Sequence, residues 1–372
     1  KLQAEIRLGQ TARITASCTS ALWQDLFVKL QTNLQSLSTT GRFSIQELRS
    51  DKVLDTLNVR SGWRTGQEGL SLEGTFAFSD SDHARLDLQA FAHKVTLSRE
   101  DRELVFSNPD LTVRVDVTPE EYSLQVDRLS FDAPDAAVSG QMRFERSAKK
   151  ATLSVQGEKL DISGLRQRCR LLFAEVKPVQ EVLDIVQAGV LSDMTLSSSG
   201  ETLKQIGKNV KLKAVLNQGT VVVPEPKLDL TDIQGTVAIN ENILTGRGFS
   251  ASLHQARARN GTMSMALNRH VRPFSLETDI TGPAAQIPPI LRRSVKSRPF
   301  LQELDKVSGV QGTIAGTLRL NRDQDHPMQV SVQARELDIR ARYAPLPFAL
   351  QASGGRFAYT DTALSGQGIK LE

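Results

Sequence analysis

The residue types that most often hold metals or carry redox chemistry are few in this chain and far apart. The five histidines are His83, His93, His254, His270 and His326. A metal pair on a helix needs two histidines four residues apart, and no two of these have that spacing. Cys18 and Cys169 form neither a metal-type spacing nor a redox pair. The sequence therefore predicts no metal site and no cofactor.

Two glycine-containing segments come close to nucleotide-binding motifs. Gly207-Lys208-Asn209 fails the phosphate-loop pattern, because Asn209 stands where a Ser or Thr would hold magnesium. Residues 246–251 (Gly-Arg-Gly-Phe-Ser-Ala) match the dinucleotide fingerprint in form, but a glycine-marked bulge or turn between strands is the simpler interpretation. The carboxylates lie on wet strand faces beside Lys and Arg, and no acid/base pair stands out among them. We therefore expect a non-catalytic protein.

The composition excludes several classes of protein. With 39% hydrophobic and 24% charged residues, the chain is neither disordered nor membrane-embedded. Its 46 basic and 42 acidic residues interleave, which favours solvated strand faces over a nucleic-acid surface. The densest basic clusters, near Arg166 and Arg292, fall in predicted helices, where contact with anionic lipid headgroups is an alternative to solvation. We find no membrane-spanning run and no signal-peptide core in residues 1–10, so we expect any membrane anchor to lie outside this segment.

Short runs of alternating polarity dominate the chain. In residues 111–117 and 210–214, apolar and polar side chains alternate, which is typical of strands with one dry and one wet face. Turn signals such as Asn260-Gly261 separate the runs. The sequence thus predicts a mainly β fold, an elongated antiparallel β-sheet repeat with a few short helices, and disfavours a doubly wound α/β fold.

Three stretches have a helical pattern instead. In residues 20–38, leucines recur every four positions and predict an N-terminal amphipathic helix. These leucines are Leu22, Leu26, Leu30 and Leu34. The second stretch is 164–188, interrupted at Pro178, and the third is 287–308. Packing of an apolar stripe against the sheet explains all three without a ligand.

An internal repeat is the strongest signal in the sequence, with residues matching at a constant offset of 120. The matching pairs include Leu230 and Leu350, Gly235 and Gly355, Ala238 and Ala358, Leu244 and Leu364, Gly246 and Gly366, and Gly248 and Gly368. We divide the chain into a first, divergent repeat at 1–152, a second at 153–272 and a third, truncated one at 273–372. Stacked repeats of this kind form a long continuous face, on which we expect the function to lie.

Parts of the repeat resemble a known family. Residues 228–237, 244–246 and 260–263, with the closing stretch 345–366, are similar to the repeating pattern of AsmA-like proteins, the group that includes TamB and YhdP. The resemblance covers most of residues 100–372 and carries no catalytic residue. It implies a taco-shaped β-groove in the periplasm of a Gram-negative bacterium, anchored in the inner membrane, whose apolar inner face conducts phospholipids toward the outer membrane.

The apolar strand faces form the candidate site. Left uncovered, they would expose more apolar area than a soluble protein normally tolerates, so something must cover them. Lipid acyl chains would do so, at about 0.8 kcal/mol per buried methylene. The residues predicted to line the groove are Val113, Val115, Val117, Val210, Leu212, Leu228, Leu230, Val237, Ile239, Phe274, Leu276, Val330, Val332, Phe348, Leu350 and Phe357.

The expected function is that of a non-catalytic segment of a bridge-like lipid-transfer protein. Its expected partners are phospholipid or another acyl-chain lipid, the inner membrane and other envelope proteins, and not nucleic acid. An envelope scaffold or outer-membrane assembly factor with a closed β core is the alternative, since alternating strands fit a filled core as well as an open groove. A carbohydrate-active solenoid is a third class, for which aromatic platforms and convergent carboxylates are missing.

Overall fold

Most residues of this chain lie in β-strands. The computed structural model is 68% strand and 14% helix, and its described residues form 22 strands in one antiparallel sheet and three in a second. The mainly β, antiparallel fold predicted from the alternation is therefore confirmed. The structure describes residues 2–56, 64–79, 82–99, 102–172, 174, 177–223, 228–267, 273–294, 298–323, 329–360 and 363–372.

The chain divides into two compact units. Unit 1 comprises Lys1–Arg168 and Asp193–Lys211, and unit 2 comprises Cys169–Ser192 and Leu212–Glu372. One strand, β14 (Val186–Gly200), begins in unit 2 and ends in unit 1. The division into three repeats at 153 and 273 stays a prediction.

Unit 1 is built on an antiparallel meander. Its strands are β1 Leu2–Arg7, β2 Thr11–Cys18, β3 Asp25–Asn33, β4 Thr39–Gln46, β5 Arg64–Glu68, β6 Ser71–Ser79, β7 His83–Phe91, β8 Lys94–Arg99, β9 Arg102–Ser107, β10 Asp110–Val117, β11 Glu121–Phe131, β12 Ala136–Glu145 and β13 Lys150–Asp161. β5, β8 and β9 form the small sheet, and the other ten pair in chain order. The helices α1 (Ser50–Thr56) and α4 (Leu203–Lys208) also belong to unit 1, and α2 (Ile162–Leu172) begins in it.

The register of this meander aligns apolar residues in rows that cross the strands. One row consists of Phe76, Leu86, Val115, Leu124, Met142 and Leu153. The next row consists of Gly74, Leu88, Val113, Val126, Gly140 and Val155. We call the surface that these rows form the dry face of unit 1. It arises because side chains two residues apart share one face of a strand.

Unit 2 continues with longer strands and two helical insertions. Its elements are α3 Lys177–Ile185, β15 Lys211–Val223, β16 Leu228–Asn240, β17 Ile243–Leu253, β18 Ala256–Ala266, β19 Phe274–Pro283, α5 Ile287–Ser294, α6 Arg298–Asp305, β20 Val307–Arg322, β21 Gln329–Tyr343, β22 Ala349–Ser353, β23 Arg356–Thr360, β24 Ala363–Gln367 and β25 Lys370–Leu371. A short 3-10 turn, Ala284–Gln286, precedes α5. Pro288 and Pro289 fit the first turn of α5, where the missing amide hydrogens have no partner within the helix.

Four successive strands of unit 2 each contain a β-bulge. A residue with a left-handed backbone marks each bulge: Gln218 in β15, Asp232 in β16, Gly248 in β17 and Asn260 in β18. A bulge bends its strand and increases the local twist. The glycine motif at 246–251 lies in the middle of β17 around one of these bulges, which confirms the bulge interpretation of that motif.

The structure corrects the first predicted helix and contains helices at the other two. Residues 20–38 form β3 and its flanking turns, so the N-terminal helix prediction is wrong. A four-residue spacing is an even number, so leucines that recur every four positions also share one face of a strand. α2 and α3 occupy the stretch predicted at 164–188, and α5 and α6 occupy the stretch at 287–308.

Candidate functional site

An apolar cavity of about 650 Å³ lies within unit 2. Its walls are formed by the helices α5 and α6 and by side chains of strands between β15 and β24, and we call the strand face that carries these side chains the dry face of unit 2. Aliphatic side chains such as Leu230, Ile280 and Leu318 form most of the lining. The size lies inside the range of about 300 to 1,000 Å³ that is typical of small-molecule sites.

The cavity is lined by strands that are far apart in the order of the sheet. Strands in a sheet are about 4.8 Å apart, so a flat sheet from β15 to β24 would extend roughly 40 Å, whereas a sphere of the cavity's volume is roughly 11 Å across. Val223 in β15, Ile280 in β19 and Ala352 in β22 nevertheless line one cavity, which favours a curved sheet in unit 2. The four bulges supply bends of the kind that such curvature requires.

The cavity has a buried floor and an accessible wall. Leu320 is 4% exposed and Leu276 is 9% exposed, so this part of the lining is packed like a core. Leu318, Val332 and Ile339 line the same cavity but are only half-buried. Aliphatic side chains that border a cavity and stay half-exposed leave apolar surface for a ligand to cover.

Helices α5 and α6 place apolar side chains on the cavity. Ile287, Ile290 and Leu291 of α5 and Phe300 of α6 contribute to the lining. The two helices are linked by an ion pair in which Arg292 Nε lies 3.0 Å from Asp305 Oδ1. The apolar stripe that the sequence assigned to packing against the sheet therefore also borders the cavity.

One buried polar side chain borders the cavity, and its hydrogen bond is satisfied within the protein. Thr278 is 3% exposed and its hydroxyl donates to the carbonyl oxygen of Arg259 over 3.0 Å. Arg259 directly precedes the bulge residue Asn260, so Thr278 pairs a carbonyl at the disturbed part of the ladder. The hydroxyl stabilises the wall and offers a ligand no unpaired donor.

Three of the predicted groove residues line the cavity: Leu230, Leu276 and Val332. Others lie on the same dry face by register but outside the lining. These are Leu212 opposite Ile239, Val237 opposite Ala214, Phe274 opposite Met265 and Leu350 opposite Ala341. The cavity thus occupies a part of the predicted apolar face.

The remaining predicted residues lie elsewhere. Val113, Val115 and Val117 lie on the dry face of unit 1, and Val210 is half-buried just before β15. Phe348 is 57% exposed in the turn before β22, so its prediction as a strand-face residue is wrong. The turn begins after Tyr343 and contains Pro345 and Pro347, which cannot donate to a strand ladder. The side chains of Leu228, Val330 and Phe357 lie outside the described part of the structure.

Sequence reasoning missed several residues that line the cavity. Ile280, Ile314, Leu318, Leu337 and Ile339 all contribute to its walls. The same alternation that selected Leu276 would have selected Ile280, four residues later on the same strand face. What the alternation does not show is where the sheet curves, and the curvature decides which dry-face residues share a cavity.

Three arginines of the basic clusters near Arg166 and Arg292 are engaged within the protein. Arg168 donates from Nε and Nη2 to the carbonyl oxygen of Val105 over 3.1 and 2.9 Å, and its guanidinium lies over the ring of Phe106. Arg170 forms an ion pair with Asp184, and Arg292 pairs with Asp305 as described above. These contacts join α2 to Val105 and to α3, and they join α5 to α6.

The wet face of unit 2 carries a polar cluster across four strands. Asp279 accepts hydrogen bonds from Asn260 over 3.2 Å and from Thr317 over 3.1 Å, and it pairs with Arg335. The hydrogen bonds from Asn260 and Thr317, followed by the charge of Arg335, hold the pKa of Asp279 below its usual value of 3.8. In unit 1, hydrogen bonds from Arg85 and then Arg114 lower the pKa of Asp87 in the same way. Both clusters join neighbouring strands on the face opposite the apolar rows.

The dry face of unit 1 has little that covers it. None of the described residues from Leu2 to Phe91 is buried, although six strands of the meander lie in this range. Phe78 is 48% exposed and Leu124 is 40% exposed on this face. Among the described residues of this range, the apolar face is therefore not buried by a second layer of the kind that normally completes a β domain.

Metal and membrane-helix signals are missing from the described residues. They contain no group of three His, Cys, Asp or Glu side chains placed to hold a metal ion. None of their helices combines the length and the apolar character needed to cross a membrane. Both cysteines are free, and burial raises the pKa of the Cys169 thiol, which makes the reactive thiolate scarcer.

Comparisons of the chain with protein-family models, curated proteins and solved structures find no match.

Proposed function

We propose that this chain binds the acyl chains of lipids along its apolar strand faces and acts as a non-catalytic segment of a bridge-like lipid-transfer protein. The observation that carries this proposal is the cavity of unit 2, whose walls are aliphatic and half-exposed. An acyl chain that fills it gains about 0.8 kcal/mol for each methylene removed from water.

The lining favours a ligand that is held loosely along its length. Among the described lining residues, the one buried polar side chain, Thr278, already donates to the protein, and the polar Ser252 and Arg257 are not buried. Successive wall residues are chemically alike, and the binding free energy of an apolar chain therefore changes little as it slides. Passage of lipid requires this property, whereas a specific receptor requires fixed polar contacts.

The dry face of unit 1 supports the same proposal independently. Its rows cross the strands, so an acyl chain laid along a row meets an apolar side chain or a glycine on each strand it passes. The face is apolar over ten strands and contains few buried residues, which leaves area for lipid. Acyl chains on this face would replace the missing second layer.

The order of elements supports the proposed 120-residue repeat. Shifted by 120 residues, α3 moves onto 297–305, where α6 (Arg298–Asp305) lies. After the same shift, β14 coincides with β20 and β15 coincides with β21, each within two residues. Likewise, β16 covers β22 and β23 together, and β17 covers β24 and β25 together. A repeating sheet can lengthen an apolar face without a change of local geometry, as a conduit between two membranes requires.

The proposed setting is the envelope of a Gram-negative bacterium, with phospholipid moving between the inner and outer membranes. This part of the proposal rests on the resemblance of the repeat to AsmA-like proteins. A scaffold with a closed core is the competing function, and the well-buried side chains of Ala214, Leu216 and Ala334 are the observation that favours it.

Photo-crosslinking in cells tests the proposal. A photo-reactive amino acid at Val332, which is half-buried on the cavity wall, should yield phospholipid adducts detected by mass spectrometry. The same probe at Gln333 is the matched control, because this exposed neighbour lies on the opposite strand face and should yield none. If the probe at Val332 captures only protein, and probes at Leu318 and Ile339 capture no lipid either, the conduit proposal is wrong and the scaffold function should replace it.

A further inference from the structure

The first two hairpin tips of unit 1 expose leucines. The first tip, residues 8–10, joins β1 to β2, and the second, residues 34–38, joins β3 to β4. Leu8 is 79% exposed, Leu34 is 49% exposed and Leu37 is 73% exposed. The backbone amide of Leu34 donates to the carbonyl of Gln10, so the two tips lie against each other. Together they form one patch, which we call the leucine tips.

The leucine tips are uncharged, unlike other tips on the same edge. Alternate turns of an antiparallel meander lie at the same end of the strands. The turn after β10 and the turn after β12 are therefore at the same end as the leucine tips, which we call this edge. Those turns carry Glu120 and the pair Arg146 and Lys149, whereas residues 8–10 and 34–38 contain only Leu, Gly, Gln and Ser. The patch is therefore a local departure from a polar edge.

The second tip does not need its leucines in order to fold. The side-chain oxygen of Asn33 accepts from the amides of Gln35 and Ser36 over 2.9 and 3.2 Å, which closes the turn with polar groups. Leu37 adopts a left-handed backbone, with φ at 53°, a conformation in which asparagine is far more common than leucine. An exposed leucine at a strained position contributes little to stability, so a role outside folding explains it better.

The leucine tips are continuous with the dry face. Ile6, Ile14 and Leu30 lie opposite one another in one row across β1 to β3. Leu8 follows Ile6 by two residues and Leu34 follows Leu30 by four, which is the spacing of one strand face. Apolar surface thus extends along the strands from the proposed acyl-chain path to the turns that form the leucine tips.

We infer that the leucine tips insert into the interfacial layer of an anionic lipid bilayer. Projecting, uncharged tips suit a fluid phase, and the strands behind them carry four basic and two acidic residues, an excess of positive charge that suits anionic headgroups. The charged residues of β1 to β4 are Glu5, Arg7, Arg13, Asp25, Lys29 and Arg42. The inference rests on the proposed function, because a membrane-inserted tip beside an apolar row is where an acyl chain would pass from the bilayer to the protein.

Flotation with vesicles tests the inference. The chain should float with vesicles of phosphatidylglycerol and phosphatidylcholine. The triple variant Leu8→Ser, Leu34→Ser and Leu37→Asn should bind at least about tenfold more weakly, since three apolar side chains no longer enter the bilayer. Asparagine suits the left-handed backbone at position 37, and circular dichroism should show an unchanged fold. The matched control is Leu346→Ser with Phe348→Ser, which removes two exposed apolar side chains from a turn of unit 2 and should leave flotation unchanged.

Two results would overturn the inference. Either the unaltered chain does not float, or the triple variant floats as well as the unaltered chain. If sedimentation shows that the triple variant loses a dimer but keeps vesicle binding, the tips contact a second copy instead. Binding of a fluorescent fatty acid in free solution reports on the cavity separately and should be equal in the triple variant and the unaltered chain. Failure of that binding in both would count against the proposed function and not against the tips.

Discussion

A single carboxylate on the cavity wall should weaken acyl-chain binding without unfolding the protein. Val332 lies opposite Leu318 on the neighbouring strand, and both side chains are half-buried on the wall. In Val332→Asp, the carboxylate must stay hydrated at the cavity surface or lose its charge. Either response removes apolar contact from the part of the chain that crosses this strand.

The size of the effect follows from the strand spacing. Roughly four methylenes of an extended acyl chain span the 4.8 Å between neighbouring strands. At about 0.8 kcal/mol each, their loss costs about 3 kcal/mol. This free energy corresponds to roughly a 100-fold increase in the dissociation constant. The free energy of unfolding of Val332→Asp should fall by only about 1 to 3 kcal/mol, because water already reaches the half-buried wall.

Fluorescent fatty-acid titration and thermal unfolding together check this prediction. Gln333→Asp is the control, since it places the same side chain on the exposed face one residue away and should change the dissociation constant less than twofold. Val332→Thr, which nearly keeps the shape of valine, should fold normally and bind at an intermediate level. Equal binding by Val332→Asp and the unaltered chain would refute the cavity as the lipid site. Destabilisation of Val332→Asp by more than about 4 kcal/mol would show a closed core instead.

Two more predictions concern the fold around the cavity. A methyl group at Gly261 would lie 2.2 Å from the ring of Phe249, which lines the cavity. Gly261→Ala should therefore displace Phe249 toward the cavity and weaken fatty-acid binding. It should also destabilise the fold by about 1 to 3 kcal/mol. Gly207→Ala, where the added carbon meets nothing within 4 Å, is the control for thermal unfolding and should not lose stability. The lowered pKa of Asp279 means that its contribution to stability is present above the usual value of 3.8 and is lost as the pH falls through the lower folded value. Melting temperatures of Asp279→Asn should therefore depend less on pH in that acidic window than those of the unaltered chain, and equal dependence would show that the cluster around Asp279 contributes nothing.

The sequence predicted the strands well because their alternation is a local property. Leu212, Leu230 and Val237 were assigned to one face from their spacing alone, and the register of β15 and β16 places them there. Residues 20–38 were misassigned because a spacing of four suits a helix and a strand face alike. In this case, the β-branched and aromatic residues around Phe27 and Val28 were the signal that favoured a strand.

The site itself was only partly predictable. Whether a dry-face residue lines the cavity depends on how the strands bend, and bulges such as those at Gln218 and Asp232 interrupt no alternation that marks them as bulges. The turn predicted at Asn260-Gly261 was wrong, because these residues form a bulge inside β18. Leu276 and Val332 were identified because they are apolar and alternate, and Ile339 was missed although it has the same properties. The leucine tips were not recognised, because Leu34 was assigned to the predicted helix and the loops of three to five residues have no pattern of their own.

The apolar rows have a consequence for how such a chain changes over evolutionary time. Each position in a row must be apolar and of roughly the right volume, but Val, Leu, Ile, Met or Phe can serve there, so the identity of the residue can drift while the surface persists. An insertion or deletion of one residue within a strand is different, because it moves every following side chain to the opposite face. Insertions and deletions should therefore accumulate in the turns between strands, and the alternation of apolar and polar residues should be conserved longer than the identity of each residue.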